Sequence, residues 1–389
     1  MRRTITTLVV GLVLLSLVAA AQAQQSEIQV LRDSVKQLSD QLKAVTDKLQ
    51  ALETKQATPV AAPAAKSSWA DKVQINGYLQ PQYIWRNNAT DDFMLRRMYL
   101  NIAANVTPRT QAVVQFERIG GAKMFATLPV TVTSGDPAIT LSSCYLNWKI
   151  DNHFSVMAGQ VPTSFGWDEA ESSSKRLPLE RFAATEGPAP RDLRPPTDGL
   201  FSGGPWDRGV YLTRKASGQE PTVTLGLVNG NYVANDNNDN KTYSIDLKWK
   251  RGSYLYGASW VDGKLGAQGA TQDRQAFDLI FHKDPTPWGF QAEYLRGKWG
   301  IPTATTTTSN REGWYGQVAY NKGGMATPFV RYEQFDKANL TLAADTFMAL
   351  HLGCAWQLDK YNELTAQYTD AHLGITNMGY SGVQWQIGF

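Results

Sequence analysis

Between residues 72 and 389, apolar and polar side chains alternate with a period of two, in runs of about ten residues broken by polar, glycine-rich segments. In VQINGYLQPQYIW, Val73, Ile75, Gly77, Leu79, Pro81, Tyr83 and Trp85 share one face, while Gln74, Asn76, Tyr78, Gln80 and Gln82 share the other. YSIDLKWK sets Tyr243, Ile245, Leu247 and Trp249 against Ser244, Asp246, Lys248 and Lys250. WGFQAEY and the closing VQWQIGF repeat the scheme, with Trp288, Phe290, Ala292 and Tyr294 opposing Gln291 and Glu293, and Val383, Trp385, Ile387 and Phe389 opposing Gln384 and Gln386. The pattern predicts strands near 72–86, 93–106, 110–118, 138–150, 154–161, 206–215, 222–229, 241–250, 253–262, 274–283, 288–298, 311–320, 328–335, 346–358, 362–370 and 379–389, sixteen in all. Pro81 counts against the first of these, because it cannot donate to a strand ladder.

Alternation fits a soluble β-sandwich as well as a barrel in a membrane. Connection length separates them: TPR, DNH, SGQE, RG, DPTP, NKGGMAT and DKY are short, and between them fall longer polar segments such as GNYVANDNNDN and WGIPTATTTTSN. Short turns on one side and long loops on the other are what an outer-membrane barrel requires, and aromatic residues near the strand ends supply its interfacial girdles. The fold class expected is therefore an all-β transmembrane barrel of about sixteen antiparallel strands over residues 69–389. An even strand number returns both chain ends to one side, taken as the periplasm. Phe389, ending an alternating strand, reads as a C-terminal assembly signal, with the outer-membrane barrel assembly machinery as partner.

One connection is far longer than the rest. Residues 162–205, the third outer loop, are rich in proline, follow no period, and carry seven acids and five bases. A loop of this length in a compact domain is usually functional. Its aromatics (Phe165, Trp167, Phe182, Phe201) and the adjoining Trp206 suggest that it packs on something, so it is expected to fold into the lumen and narrow it.

The segment before the barrel is helical in pattern. Ile28, Val35, Leu42 and Leu49 occupy heptad position a, and Leu31, Leu38, Val45 and Leu52 position d, predicting an α-helical coiled-coil stalk over residues 24–55. A single amphipathic helix is the alternative; the narrow seam favours self-association. Residues 56–68, QATPVAAPAAKSS, form an Ala/Pro linker. Residues 1–23 read as a signal peptide: Arg2 and Arg3, an apolar run from Leu8 to Ala20, then Ala21-Gln22-Ala23.

Composition changes this picture little. The formal charge is +3, and without Arg2 and Arg3 it is about +1, which argues against a nucleic-acid binder. Cys144 and Cys354, far apart, suggest apolar fillers rather than a disulfide framework.

FMLRRMYLNI (93–102), GQVPTSFGWDEAESS and LPLER in the long loop, TLGLVNG (224–230) and GWYGQVAY (313–320) together resemble the phosphate-selective porins O and P. The resemblance covers most of residues 72–389 and is most specific in the loop, although Ser164 stands where that family usually has proline. It implies a homotrimer of sixteen-stranded barrels in the Gram-negative outer membrane, each with an inward third loop. It leaves the solute open.

Lys175, Arg176, Arg181, Arg191 and Arg194 of the loop, with the inward strand residues Arg97, Lys248 and Arg331, are the candidate constriction and solute residues. Rings of Arg and Lys select anions, phosphate among them. Alternatively these bases pair with Asp168, Glu169, Glu171, Glu180, Glu186 and Asp192 into a nearly neutral constriction, which is preferred because charges in a packed loop need partners. The spacing of Asp168, Glu169 and Glu171 matches no calcium loop, and His153, His282, His351 and His372 lack metal-ligand spacing. His351 has no serine partner, so no enzyme, metal or cofactor is expected. The function expected is a porin passing small hydrophilic solutes or anions. The alternative is a structural tether, with the barrel as anchor in membrane lipid and the stalk bridging to the cell wall. If the stalk self-associates through its seam, a 24–56 peptide cross-links as an oligomer and Leu38→Asp with Leu42→Asp abolishes it, because unpaired charge would be buried. A wild-type peptide that sediments as a monomer at high concentration refutes the coiled coil.

Overall fold

The alternating runs form antiparallel strands, each hydrogen-bonded to its sequence neighbours. The structure, a computed structural model, describes residues 36, 40, 72–86, 91–119, 139–186, 200, 206–232, 235–266, 268, 271–300, 308–337, 345–373, 376–377 and 379–389. The chain divides into two units, Met1–Ser67 and Ser68–Phe389. In the first, Lys36 and Asp40 are helical and exposed. The predicted seam, Ile28 to Leu52, lies outside the described residues, as do the signal peptide and the linker.

In the second unit the strands are β1 (Val73–Arg86), β2 (Asp92–Thr107), β3 (Thr110–Ile119), β4 (Thr140–Lys149), β5 (Phe154–Pro162), β6 (Trp206–Arg214), β7 (Thr222–Val228) and β8 (Thr242–Arg251). They continue as β9 (Tyr254–Leu265), β10 (Gln272–Lys283), β11 (Trp288–Gly300), β12 (Thr308–Tyr320), β13 (Ala326–Lys337), β14 (Asp345–Gln357), β15 (Asn362–Leu373) and β16 (Tyr380–Gly388). A two-residue pair, Thr376–Asn377, hooks back on β15. Consecutive strands pair, and β16 pairs with β1 (Tyr83↔Val383, Leu79↔Ile387), so the described strands form a closed antiparallel barrel.

Burial is inverted relative to a soluble protein. On β10, Asp278 is 0% exposed and its neighbour Leu279 is 52% exposed. Arg96, Arg274, Glu293, Arg331 and Glu333 are buried, while Trp260, Phe277, Trp288, Leu352 and Trp385 face outward. A sandwich would do the reverse; a barrel with lipid outside and a polar lumen requires this arrangement.

Short turns are fixed by their own side chains. Asp151 Oδ1 accepts the His153 and Phe154 N–H groups at 2.7 Å each, and Asp359 Oδ1 those of Tyr361 and Asn362 at 2.7 and 3.0 Å. These backbone bonds hold both carboxyls below their ordinary range.

Pro81 sits at a β-bulge. Gln80 pairs with Arg97 and Pro81 with Leu95, leaving Arg96 as the extra residue on β2. The missing proline N–H thus falls where the ladder already shifts. The bulge also turns both Arg96 and Arg97 inward, although strict alternation would send one to the lipid.

Closure is tightest at Gly77. Its N–H donates to the Phe389 carbonyl and its carbonyl accepts the Phe389 N–H, both at 3.0 Å, while the Phe389 ring lies over it. A Cβ on Gly77 would stand 2.1 Å from the Tyr99 carbonyl oxygen and 2.7 Å from that ring. On a gel run in sodium dodecyl sulfate, the unboiled barrel should migrate apart from the boiled form. Gly77→Val should lower the temperature at which the two merge, with an overpacking cost of about 1–3 kcal/mol. An unchanged transition means that the ring does not seal this seam.

Candidate functional site

After β5 the chain turns into the lumen and is tied to the wall at successive points. The Lys248 ammonium donates to the Ser164 carbonyl at 3.3 Å, and the Gly166 N–H to Ser259 Oγ at 3.2 Å. The Glu293 carboxylate on β11 then accepts the Trp167 and Asp168 N–H groups at 3.1 and 3.0 Å. Gly166 makes that approach possible. Its φ is +74°, and a Cβ there would lie 2.7 Å from Glu293 Oε1.

Asp168 is the central bolt. One oxygen pairs with Arg331 Nη1 at 3.0 Å and the other accepts the Phe182 N–H at 2.7 Å. Burial opposes its ionisation, yet Arg331, Arg176, the Phe182 N–H and Arg181 outweigh burial and hold the carboxyl below its ordinary value. Arg331 continues to Glu333 at 2.8 Å and lies 3.9 Å from the Tyr315 ring centroid. Removing one partner of such a buried pair costs about 3–5 kcal/mol, against about 0–1 kcal/mol for an exposed pair such as Lys298–Asp273.

A second bolt lies on β2. Arg96 grips both oxygens of Glu180 at 2.8 Å, and Arg97 reaches the same carboxylate at 3.0 Å. Amides complete it: Gln80 Nε2 donates to the Ser173 carbonyl (3.3 Å), Gln386 Nε2 to the Ser174 carbonyl (3.0 Å), and the Leu179 N–H to Gln367 Oε1 (3.0 Å). Apolar packing supplies the rest. Phe165, Phe182, Leu200 and the short helix α1 (Ala183–Glu186) join Val261, Leu295, Tyr315, Phe335 and Phe347 in one buried cluster. Each phenylalanine buried this way contributes about 1.5–3 kcal/mol.

The predicted site residues fall into distinct places. Arg97 and Arg331 serve the two bolts, and Lys248 pairs with Asp246 at 3.0 Å. Arg181 braces the loop internally, donating to the carbonyls of Asp168, Glu169 and Glu171 at 2.8, 2.9 and 3.2 Å. Arg176 is buried and Lys175 is exposed; Arg191 and Arg194 lie outside the described residues. His351 faces the lumen between Thr369 (3.0 Å) and Glu333 (3.5 Å). Cys144 and Cys354 are both unbridged thiols. Sequence reasoning overlooked Arg96, which the bulge conceals; it expected Asp168 and Glu180 to pair with the lumen bases, as they do, but not which base each meets. It also placed Glu293 on a polar face without seeing that it caps the loop. Among the described residues no group of His, Cys, Asp and Glu is placed to hold a metal.

Residues 76–255 match the phosphate-selective porin O and P family. In structure the chain is similar to an anion-selective porin from Comamonas acidovorans (11% identity, TM-score 0.58, covering 82% of this chain and 99% of that one). It is also similar to Salmonella typhi OmpF in complex with daunomycin (10%, 0.60, 82% and 97%) and to the trimer form of Vibrio cholerae OmpT (12%, 0.56, 82% and 99%). At these identities the likeness concerns the barrel fold. No curated protein matches the chain.

Burial, and then the neighbouring Asp168, push the Glu171 carboxyl up to about 7. It is therefore charged above that pH and neutral below it. Acidifying through this value should move the reversal potential of the pore towards anions, and Glu171→Gln should remove that pH step. A step that persists in the variant belongs to another group.

Proposed function

We propose that this chain, an outer-membrane β-barrel of the phosphate-selective porin O and P family, is a weakly selective diffusion porin whose inward loop sets the size of solute admitted. The observation that carries this reading is the pairing of the lumen bases. Arg96 and Arg97 share Glu180, Arg331 is shared by Asp168 and Glu333, and Lys248 meets Asp246. The Arg96–Arg97–Glu180 group carries one net positive charge, the Asp168–Arg331–Glu333 group one net negative, and the Lys248–Asp246 pair none. A constriction built this way offers little net field to an ion of either sign, whereas strong anion selection needs rings of uncompensated bases. Small hydrophilic solutes and ions, phosphate included, are the expected traffic.

The assembly follows the sequence reading: a homotrimer in a Gram-negative outer membrane, with the 24–55 stalk in the periplasm. The OmpT structure in trimer form supports the oligomer by analogy of fold.

Planar-bilayer recording tests the reading. Wild-type protein should give discrete conductance steps and a small reversal potential across a potassium chloride gradient. Deleting residues 170–200 should raise the step size several-fold, because a constriction dominates the resistance of a pore. Equal steps in both proteins remove the loop from the constriction. Absence of any conductance in either favours the tether. A strongly anion-selective wild type means that Arg and Lys residues outside these pairs control the lumen.

A further inference from the structure

Pairing register sets Arg331 of β13, His351 of β14, Thr369 of β15 and Tyr380 of β16 side by side in one cross-strand row. Glu333 follows Arg331, and Gln367 precedes Thr369, by two residues on the same inward face. All six side chains are buried. Their hydrogen bonds have a direction. Gln367 Oε1 accepts the Leu179 N–H of the loop at 3.0 Å, so the other end of this amide is its NH2, which only donates. Nε2 reaches Thr369 Oγ1 at 2.7 Å and the Tyr380 hydroxyl at 3.1 Å, one for each of its hydrogens. The Thr369 hydroxyl, having accepted, passes its own hydrogen to His351 Nδ1 at 3.0 Å. Nδ1 also lies 3.1 Å from the donating Gln367 Nε2, so it acts as an acceptor and the imidazole hydrogen sits on Nε2. That nitrogen faces Glu333 Oε1 at 3.5 Å, the loosest link of the set. The other Glu333 oxygen takes Arg331 Nη2 at 2.8 Å, and Arg331 Nη1 meets Asp168 at 3.0 Å.

The circuit starts and ends on the loop. It leaves at the Leu179 N–H and returns through Asp168, whose second oxygen accepts the Phe182 N–H at 2.7 Å. Residues 179 and 182 bracket Glu180, the carboxylate held by Arg96 and Arg97. Each link joins two buried groups, so breaking one strands a polar atom and is felt at both ends of this short segment. An imidazole suits the junction because it accepts at one edge and donates at the other, spanning from β15 to β13.

We propose that His351 and Gln367 are positioning residues of the pore, closing with Thr369 a hydrogen-bonded circuit through β13–β15 that locks loop residues 179–182 at the constriction. This rests on the porin reading and names the wall residues that hold its narrowing still. Single-channel recording of the full-length protein tests it. Wild type should hold a steady open current. His351→Leu and Gln367→Leu should each raise the rate of transitions to a larger current about tenfold, as a stranded buried partner predicts. The double variant should flicker no more than the faster single one, because either change opens the same circuit. His351→Gln, whose amide both accepts and donates, should flicker less than His351→Leu. Each variant is recorded after its gel shift on heating shows a folded barrel. Thr369→Val, which removes one hydroxyl and keeps the side-chain shape, replaces any variant that fails this check and should flicker as the leucine variants do. A steady current in these variants overturns the circuit. Equal flicker in His351→Gln and His351→Leu also overturns it, because volume is then the cause, and so do rates that multiply in the double variant, which mark separate contacts. A wild type with no open-channel current fails at the porin reading instead.

Discussion

A backbone N–H or C=O facing lipid has no water to turn to, and each one left unpaired costs several kcal/mol. Closing the ladder between β16 and β1 is how this chain meets that constraint, and the rest of its design follows. Lipid outside demands Leu279, Trp260 and Leu352 on the outer face. Water inside lets Asp278, Arg274 and Glu293 sit where a soluble fold would place leucine. The lumen is therefore both the polar core of the barrel and its passage, and the same side chains serve packing and transport.

That double duty explains how the loop is held. An arginine in a half-dry lumen is costly by itself and stabilising only when its partner is well placed. Asp168 and Glu180 are the loop carboxylates that meet Arg331 and the Arg96–Arg97 pair, so fixing the loop neutralises the wall. Apolar anchors such as Phe165 and Phe182 contribute comparable free energy but little direction. The ion pairs and the Glu293 cap determine where the loop sits.

Much of the fold could be read from period alone, because every strand has one face in lipid and one in water, and a slip of one residue would reverse them. β8 and β10 show the benefit. What period could not convey were its own interruptions. Pro81 looked like an argument against a strand, and Arg96 went unnoticed, until the bulge accounted for both. The loop announced itself by length and composition. Its attachment points did not, since Asp168–Arg331 and Glu180–Arg96 join residues far apart in sequence with no local pattern.

The amides that suspend Ser173 and Ser174 come from Gln80 on the first strand and Gln386 on the last, and the two glutamines also hydrogen-bond to each other at 2.8 Å. The loop is thus hung from the seam, the final join in any order of assembly that adds strands one by one. Until β16 meets β1, half of this suspension does not exist. A barrel caught open would therefore keep the loop's ion-pair anchors but lack half of its amide suspension, and completing that suspension marks completion of the wall. The chain has in effect tied the narrowing of its passage to the step that makes it watertight.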